Sequence, residues 1–119
     1  MNNETKKRLV DALEACRAIE QFTAGSNFAA YAADSMRRAA VERKFEILGE
    51  ALHRAEESAP ELTERLPEIR RIIGMRNRII HGYDGVDDEI VWDTVQRKIP
   101  PLLENLSTLL CGEGENSAD

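Results

Sequence analysis

The sequence predicts an all-α fold, an antiparallel up-and-down bundle of four to five helices. The composition favours helix, because Ala, Glu, Leu and Arg are abundant while only 5% of the 119 residues are aromatic. Apolar residues recur at helical spacing along most of the chain, and no stretch of useful length alternates as a strand does. Because the links between the helical stretches are short, successive helices are expected to run antiparallel.

The first half of the chain predicts two main helices. The first covers residues 4–22 and carries an apolar stripe: Leu9, Ala12, Leu13, Cys16 and Ile19. Gly25 follows it and suits a left-handed cap position. A short turn or helix over residues 28–33 leads to a long helix over residues 34–58. The core face of this long helix has the spacing of a bundle seam: Val41, Phe45, Leu48, Leu52 and Ala55.

Prolines mark the helix starts that follow. Pro60 fits a short helix over residues 61–66, and Pro67 fits the start of the third main helix, over residues 67–80. The apolar side of that helix is predicted to contain Ile69, Ile72, Ile73 and Ile80. Gly82 then ends the helix and is expected to take a positive φ.

The last main helix is predicted to begin after Asp87, which has the chemistry of an N-cap. Its apolar positions are Val91, Val95, Ile99, Leu102, Leu106 and Leu109. Pro100 and Pro101 should kink it or split it in two. Residues 1–111 are therefore expected to form one domain, and residues 112–119, which are small and acidic, a disordered tail.

The composition also limits the function. A net charge of −6 argues against a general nucleic-acid coat protein, because non-specific binding depends on Lys and Arg contacting phosphates. A local basic patch is still indicated by the crowding of Arg65, Arg70, Arg71, Arg76 and Arg78. Cys16 and Cys111 predict reduced thiols that pack as small hydrophobes. With no membrane-length apolar run and no signal-peptide core, we expect a cytoplasmic protein, and no motif predicts a cofactor or metal.

The residues best suited to chemistry lie at the end of the third main helix, in the run RNRIIHGY from Arg76 to Tyr83. RNA cleavage without a metal needs a base for the 2′-hydroxyl proton, an acid for the departing 5′-oxygen and a cation for the charge on phosphorus. His81 suits the proton transfers, because histidine has a pKa of about 6.5. Arg76 offers a planar fork to phosphate oxygens, and Asn77 can position the phosphate or a neighbour.

The spacing of Arg76 and His81 sets a geometric condition. Five residues place them about 140° apart around a helix, on different faces. They can address one ligand only if the helix unwinds near Ile80 or if a second subunit contributes. From the residues alone, His81 can also be a helix cap, Tyr83 a half-buried aromatic and Arg78 one half of a surface ion pair.

Three glutamates of the long helix are left open by the sequence: Glu42, Glu46 and Glu50. They can orient Arg76 or Arg43 from the neighbouring helix, or they can simply form a solvated face.

The chain resembles the HepT-like proteins of the HEPN superfamily. Arg76, His81 and Tyr83 match the residue types and the spacing of that family's Arg-x4-His-x-Tyr signature. Residues 40–43 with 47–51, and the run Pro100-Pro101-Leu102-Leu103, are similar to the family's long and final helices. The similarity spans residues 6–110.

This resemblance implies an all-α homodimer in which the signature helices form a composite cleft. It implies a metal-independent endoribonuclease toxin with Arg76 and His81 catalytic, Asn77 and Arg78 supporting, and RNA as substrate. It also implies an MNT-type nucleotidyltransferase antitoxin that neutralises the toxin by transferring AMP to Tyr83. The alternative is a non-catalytic subunit that presents substrate or nucleotide to the nucleotidyltransferase, which the acidic net charge favours somewhat.

Overall fold

The structure, a computed structural model, describes residues 1–82 and 85–118, with side chains as far as residue 112. Over these residues the chain forms seven helices and no strand, which confirms the all-α prediction. The helices are α1 (Asn3–Thr23), α2 (Phe28–Ala33), α3 (Ser35–Ser58), α4 (Leu62–Arg65), α5 (Ile69–His81), α6 (Asp88–Arg97) and α7 (Ile99–Ala118).

Helix α3 is central, because α1 packs on one side of it and α5 on another, while α7 packs on α1 and α6. The predicted apolar face of α3 is fully buried: Val41, Phe45, Leu48, Leu52 and Ala55. Most of the predicted α1 stripe is buried against it, with Leu13 only partly covered. Burial of each large side chain of this kind contributes about 1.5–3 kcal/mol to folding. None of the helices in the described ranges is long and apolar enough to cross a membrane.

Polar side chains cap the starts of four helices, and the one at Asp87 confirms the predicted N-cap. The Asp87 carboxylate accepts hydrogen bonds from the backbone N–H groups of Glu89 and Ile90, at 3.0 and 3.4 Å. Asn2, Asn27 and Asp34 accept in the same way at α1, α2 and α3. Each such cap satisfies a backbone donor that the helix itself leaves unpaired.

The double proline splits the last helix instead of kinking it. Helix α6 ends at Arg97 and α7 begins at Ile99, with Lys98 between them. Pro100 and Pro101 fall in the first turn of α7, where a missing N–H removes no helical hydrogen bond. The backbone of α7 is helical as far as Ala118, through part of the segment assigned to a disordered tail; where the domain ends stays a prediction.

The buried face of α5 differs from the predicted one. Ile80 is 43% exposed, while Met75 and Ile79 are buried together with Ile69 and Ile72. The face turned to α3 is centred near Ile72 and Met75, and Ile80 lies about 100° around the axis from Ile79. The prediction for Ile80 was wrong because α5 is covered mainly on one side, so an apolar residue beyond that side stays in solvent.

The positive φ predicted at Gly82 is found at Gly85 instead, where φ is 124°, whereas Gly82 has a φ of −93°. Gly82 is required for a different reason: a Cβ on it would lie 2.5 Å from the backbone oxygen of Arg78. The backbone at Gly82 therefore passes so close to the last turn of α5 that there is no room for a side chain. Gly25 has the expected positive φ, 71°.

The two cysteines differ in their surroundings. Cys16 is buried in the core, and burial raises the pKa of its thiol to about 12. Cys111 is exposed, so the prediction that it packs as a small hydrophobe was wrong. It follows Leu109 by two residues on α7, and only the face that carries Leu109 turns to the core.

Helices α3 and α5 come together at Gly49. A Cβ built on Gly49 would lie 2.4 Å from Cβ and 2.8 Å from Cγ of Arg76, closer than carbon atoms can pack. The aliphatic part of Arg76 therefore occupies the space that a side chain at position 49 would need. Gly74, also inside a helix, has no heavy atom within 4 Å of its Cβ position.

These two glycines give a matched stability test. Alanine is favoured over glycine inside a helix by about 1 kcal/mol, so we expect Gly74→Ala to raise the free energy of unfolding by about that amount. Gly49→Ala should instead lower it by about 1–3 kcal/mol, because the new methyl group overlaps Arg76. Denaturant unfolding at one protein concentration, followed by circular dichroism, measures both. Equal stabilisation by the two substitutions would contradict the close contact at Gly49.

Candidate functional site

Arg76 lies on the side of α5 that packs against α3. Its Nη2 donates a hydrogen bond to Oε2 of Glu50 at 2.9 Å, and its Nη1 donates to Oδ1 of Asn77 at 3.0 Å. Its Nε is buried and has no hydrogen-bond partner among the described residues. The side chain keeps 27% of its surface exposed. The guanidinium is thus held from two sides while part of it faces solvent.

Glu50 connects two arginines. Its Oε1 accepts from Nε of Arg54 at 2.8 Å, while its Oε2 accepts from Arg76. The hydrogen bond from Arg54 lowers the pKa of the Glu50 carboxyl and outweighs the opposing effect of desolvation, and the charges of Arg54 and Arg76 lower it further. Glu50 therefore stays ionised and keeps its attraction for Arg76 at neutral pH.

The structure decides among the three glutamates that the sequence left open. Glu50 contacts Arg76, whereas Glu46 pairs with Arg43 at 3.1 Å. The Glu42 carboxyl lies towards Asp88, and its pKa is raised mainly by desolvation and then by that neighbouring charge.

Gly49 and Glu50 are thus positioning residues for Arg76 that sequence reasoning did not commit to. The available signal was a glycine in the middle of a long helix, where only a close contact with another element explains it.

His81 is the last residue of α5 and is exposed. It lines a cleft of about 360 Å³ together with Arg78 on the same helix and Met75 beneath them. The opposite wall consists of the chain from Gly85 to Asp87 and the side chain of Ile90. The cleft therefore combines an imidazole and a guanidinium with an apolar floor.

The wall opposite His81 is fixed by contacts of α6 with the rest of the bundle. Asp88 pairs with Arg38 of α3 at 3.7 Å. The ring of Trp92 packs against that of Tyr31 with centroids 5.3 Å apart. These two contacts attach α6, which carries Ile90 of the cleft wall, to the rest of the bundle.

Arg76 and His81 are not brought together within one chain. Helix α5 is continuous through His81, so it does not unwind near Ile80. The two side chains therefore point about 140° apart around the axis. Arg76 and Asn77 form one group beside Glu50, and Arg78 and His81 form another in the cleft. Tyr83, the predicted modification site, lies outside the described residues.

Metal ligation has no obvious place in the described part of the chain, where no three His, Cys, Asp or Glu side chains cluster closely enough to hold an ion. The ionisable side chains that line the cleft with His81 are those of Arg78 and Asp87, and the Arg78 guanidinium is the group suited to bind a phosphate.

Comparison with known proteins assigns the family. The family described as "Ribonuclease HepT-like" matches residues 12–109. "Probable ribonuclease HepT" from Thermococcus cleftensis is 39% identical over 105 residues, which cover 86% of this chain and 92% of that protein. "Putative RNase MJ0127" from Methanocaldococcus jannaschii is 31% identical over 114 residues, 92% of each chain. None of the solved structures matches. With most of its length covered by these matches, the chain belongs to the HepT-like ribonuclease family.

Proposed function

We propose that the protein is a metal-independent endoribonuclease toxin of a toxin–antitoxin pair and acts as a homodimer. The observation that carries this proposal is the placement of Arg76. Gly49 and Glu50 of α3 hold it on one face of α5, and another face of the same helix presents His81 in an open cleft. RNA cleavage needs a cation that binds the phosphate and groups that transfer protons. Arg76 can supply the cation and His81 can transfer protons. The names of the relatives, "Probable ribonuclease HepT" and "Putative RNase MJ0127", support a ribonuclease activity.

In the proposed reaction the neutral imidazole of His81 accepts the proton of a 2′-hydroxyl group. The 2′-oxygen forms a bond to phosphorus while the bond from phosphorus to the 5′-oxygen breaks. The leaving 5′-oxygen takes a proton from an imidazolium or from water, and the products are a 2′,3′-cyclic phosphate and a 5′-hydroxyl. Arg76 stabilises the extra negative charge on the phosphate oxygens, because its guanidinium stays protonated throughout.

The homodimer would supply the geometry that one chain lacks. Ile80 is 43% exposed and Ile73 is partly buried, and both lie on α5 between the faces of Arg76 and His81. Two copies packed along this apolar strip would make an isologous contact, in which the same residues face each other. In this dimer we propose that Arg76 of one subunit lies close to His81 of the other. The proposed active site therefore contains residues from both chains.

Replacement of His81 tests the reaction. We expect His81→Ala to lower RNA cleavage at least about 100-fold, because a general acid–base group contributes that much or more. The helical circular dichroism and the oligomeric state should not change, since His81 is exposed. His53→Ala is the matched control, because His53 is also a surface-accessible histidine, on α3 beside Glu57. Equal cleavage by wild type and His81→Ala would overturn the assignment.

Mixed dimers test whether the site is composite. Arg76→Ala and His81→Ala subunits are each inactive in this proposal, but a dimer with one of each retains one intact site. An equal mixture, unfolded and refolded together, should recover about a quarter of wild-type cleavage, because half of its dimers are mixed and each has one site of two. Two differently tagged subunits verify that mixed dimers form. Mixed dimers without cleavage would mean that the two residues act within one chain.

AMP transfer tests the proposed control of the toxin. The Tyr83 phenol oxygen would attack the α-phosphorus of ATP and release pyrophosphate, which leaves a negatively charged phosphodiester two residues from His81. Incubation with ATP and the cognate nucleotidyltransferase should add one AMP-sized mass and abolish cleavage. Tyr83→Phe should block both effects.

Tyr31→Phe is the control, because Tyr31 is fully buried and its hydroxyl has no hydrogen-bond partner among the described residues. AMP transfer to the Tyr83→Phe variant would mean that a residue other than Tyr83 accepts the AMP. A wild-type protein that accepts AMP on Tyr83 but cleaves no RNA would support the alternative function, a non-catalytic partner of the nucleotidyltransferase.

A further inference from the structure

A second groove continues from the cleft along the outer face of α5. It has a volume of about 300 Å³ and is lined by Arg70, Arg71, Gly74, Met75, Arg78 and Ile90. Met75, Arg78 and Ile90 also line the cleft in front of His81. The two depressions therefore adjoin along α5, and the proposed reaction uses only the one at His81.

Positive charge is available along this groove. Arg71, Gly74, Arg78 and His81 follow one another at spacings of three, four and three residues, so they form a single stripe along the helix. Helical rise places Arg71 about 15 Å and Arg78 about 4.5 Å from the level of His81. No carboxylate of the described residues lies within 4.0 Å of either guanidinium, whereas Arg70 pairs with Glu56 at 3.2 Å. Arg71 and Arg78 thus face solvent with their charges uncompensated by close acidic partners in the described ranges.

Gly74 lies between these two arginines and is exposed. A side chain there would meet no described atom within 4 Å, so the packing of the chain does not require glycine at this position. A glycine inside a helix lowers stability relative to alanine, and it is typical of places where another backbone approaches closely. At Gly74, therefore, α5 carries no side chain that would keep a ligand in the groove away from the helix backbone.

We propose that this groove binds the sugar–phosphate backbone of the RNA strand to one side of the cleaved bond. Arg71 and Arg78 contact successive phosphates, and Gly74 lets the strand approach the helix between them. The proposal rests on the ribonuclease function proposed above and adds to it a binding site for the strand away from the reacting bond.

The charges favour an RNA strand over a second copy of the chain. An isologous contact through this groove would bring two sets of like-charged arginines together. The apolar strip of Ile73 and Ile80 lies roughly 140° away around the α5 axis, so a dimer formed there leaves the groove open. A polyanion matches the stripe directly, since arginine forms paired hydrogen bonds with phosphate oxygens. The groove also concentrates positive charge on a chain whose net charge is −6.

Substrates of two lengths test this proposal. A ribodinucleotide contains only the bond to be cleaved, whereas a ribo-oligonucleotide of about ten residues is long enough to reach Arg71 from His81. We expect Arg71→Gln to lower kcat/KM for the long RNA about five- to tenfold and to leave dinucleotide cleavage unchanged. The dependence of long-RNA binding on salt should weaken by about 0.7 in the log–log slope, the loss of one phosphate contact. Arg65→Gln removes the same charge outside the groove and should change neither substrate.

Gly74→Leu is the second variant, because it fills the groove without changing the charge. It should raise KM for the long RNA and leave the dinucleotide unaffected. Long-RNA cleavage that is equal in Arg71→Gln and Arg65→Gln would overturn the proposal, as would a loss shared by both substrates. If Gly74→Leu weakens subunit association while RNA binding is unchanged, the occupant is a protein chain and the proposal is wrong.

Binding measurements separate this proposal from the proposed reaction. If the wild-type protein cleaves neither substrate, the ribonuclease function fails. Fluorescence anisotropy with the labelled long RNA then still tests whether the groove binds RNA. Weaker binding by Arg71→Gln than by Arg65→Gln supports the groove as an RNA-binding site, and equal binding overturns it.

Discussion

The close contact between α3 and α5 at Gly49 is the constraint on which the position of Arg76 depends. Two helices with ordinary side chains pack with their axes well separated, whereas a glycine lets the neighbouring helix come close enough for a side chain to lie directly on its backbone. Here that side chain is Arg76, whose aliphatic part fills the space over Gly49 and whose guanidinium reaches Glu50. Packing and charge therefore act together: the glycine sets where the arginine lies, and the glutamate sets where its charge points.

The two sides of helix α5 differ in their surroundings, because other helices cover only one of them. One side is buried with Ile72 and Met75 in the core, and Arg76 lies at the edge of that side. The other carries His81, Arg78 and the groove around Gly74 in solvent. A continuous helix cannot turn these faces towards a common ligand. The same rigidity that fixes each residue well is the reason why a site containing both Arg76 and His81 requires a second chain.

The distribution of charge is consistent with a protein that binds RNA at one place. The net charge of −6 disfavours non-specific attraction to nucleic acid, while the arginines of α5 concentrate positive charge on one face. In the groove the charges of Arg71 and Arg78 have no close carboxylate among the described residues, in contrast to those of Arg76 and Arg70. The arginines of α5 thus divide into those that pair with a glutamate of α3, Arg70 and Arg76, and those without a close carboxylate among the described residues, Arg71 and Arg78.

The helices, their approximate ends and most of the core could be predicted from the sequence, because hydrophobic periodicity, caps and prolines act over a few residues. These local patterns predict the apolar face of α3 and the cap at Asp87. They also predict that Arg76 and His81 lie on different faces of α5. The buried side of α5 became known only from the packing of the helices, which leaves Ile80 exposed. The same packing makes Glu50, 26 residues away in sequence, the hydrogen-bond partner of Arg76. These facts depend on the rotation and approach of one helix against another, which local sequence patterns do not encode.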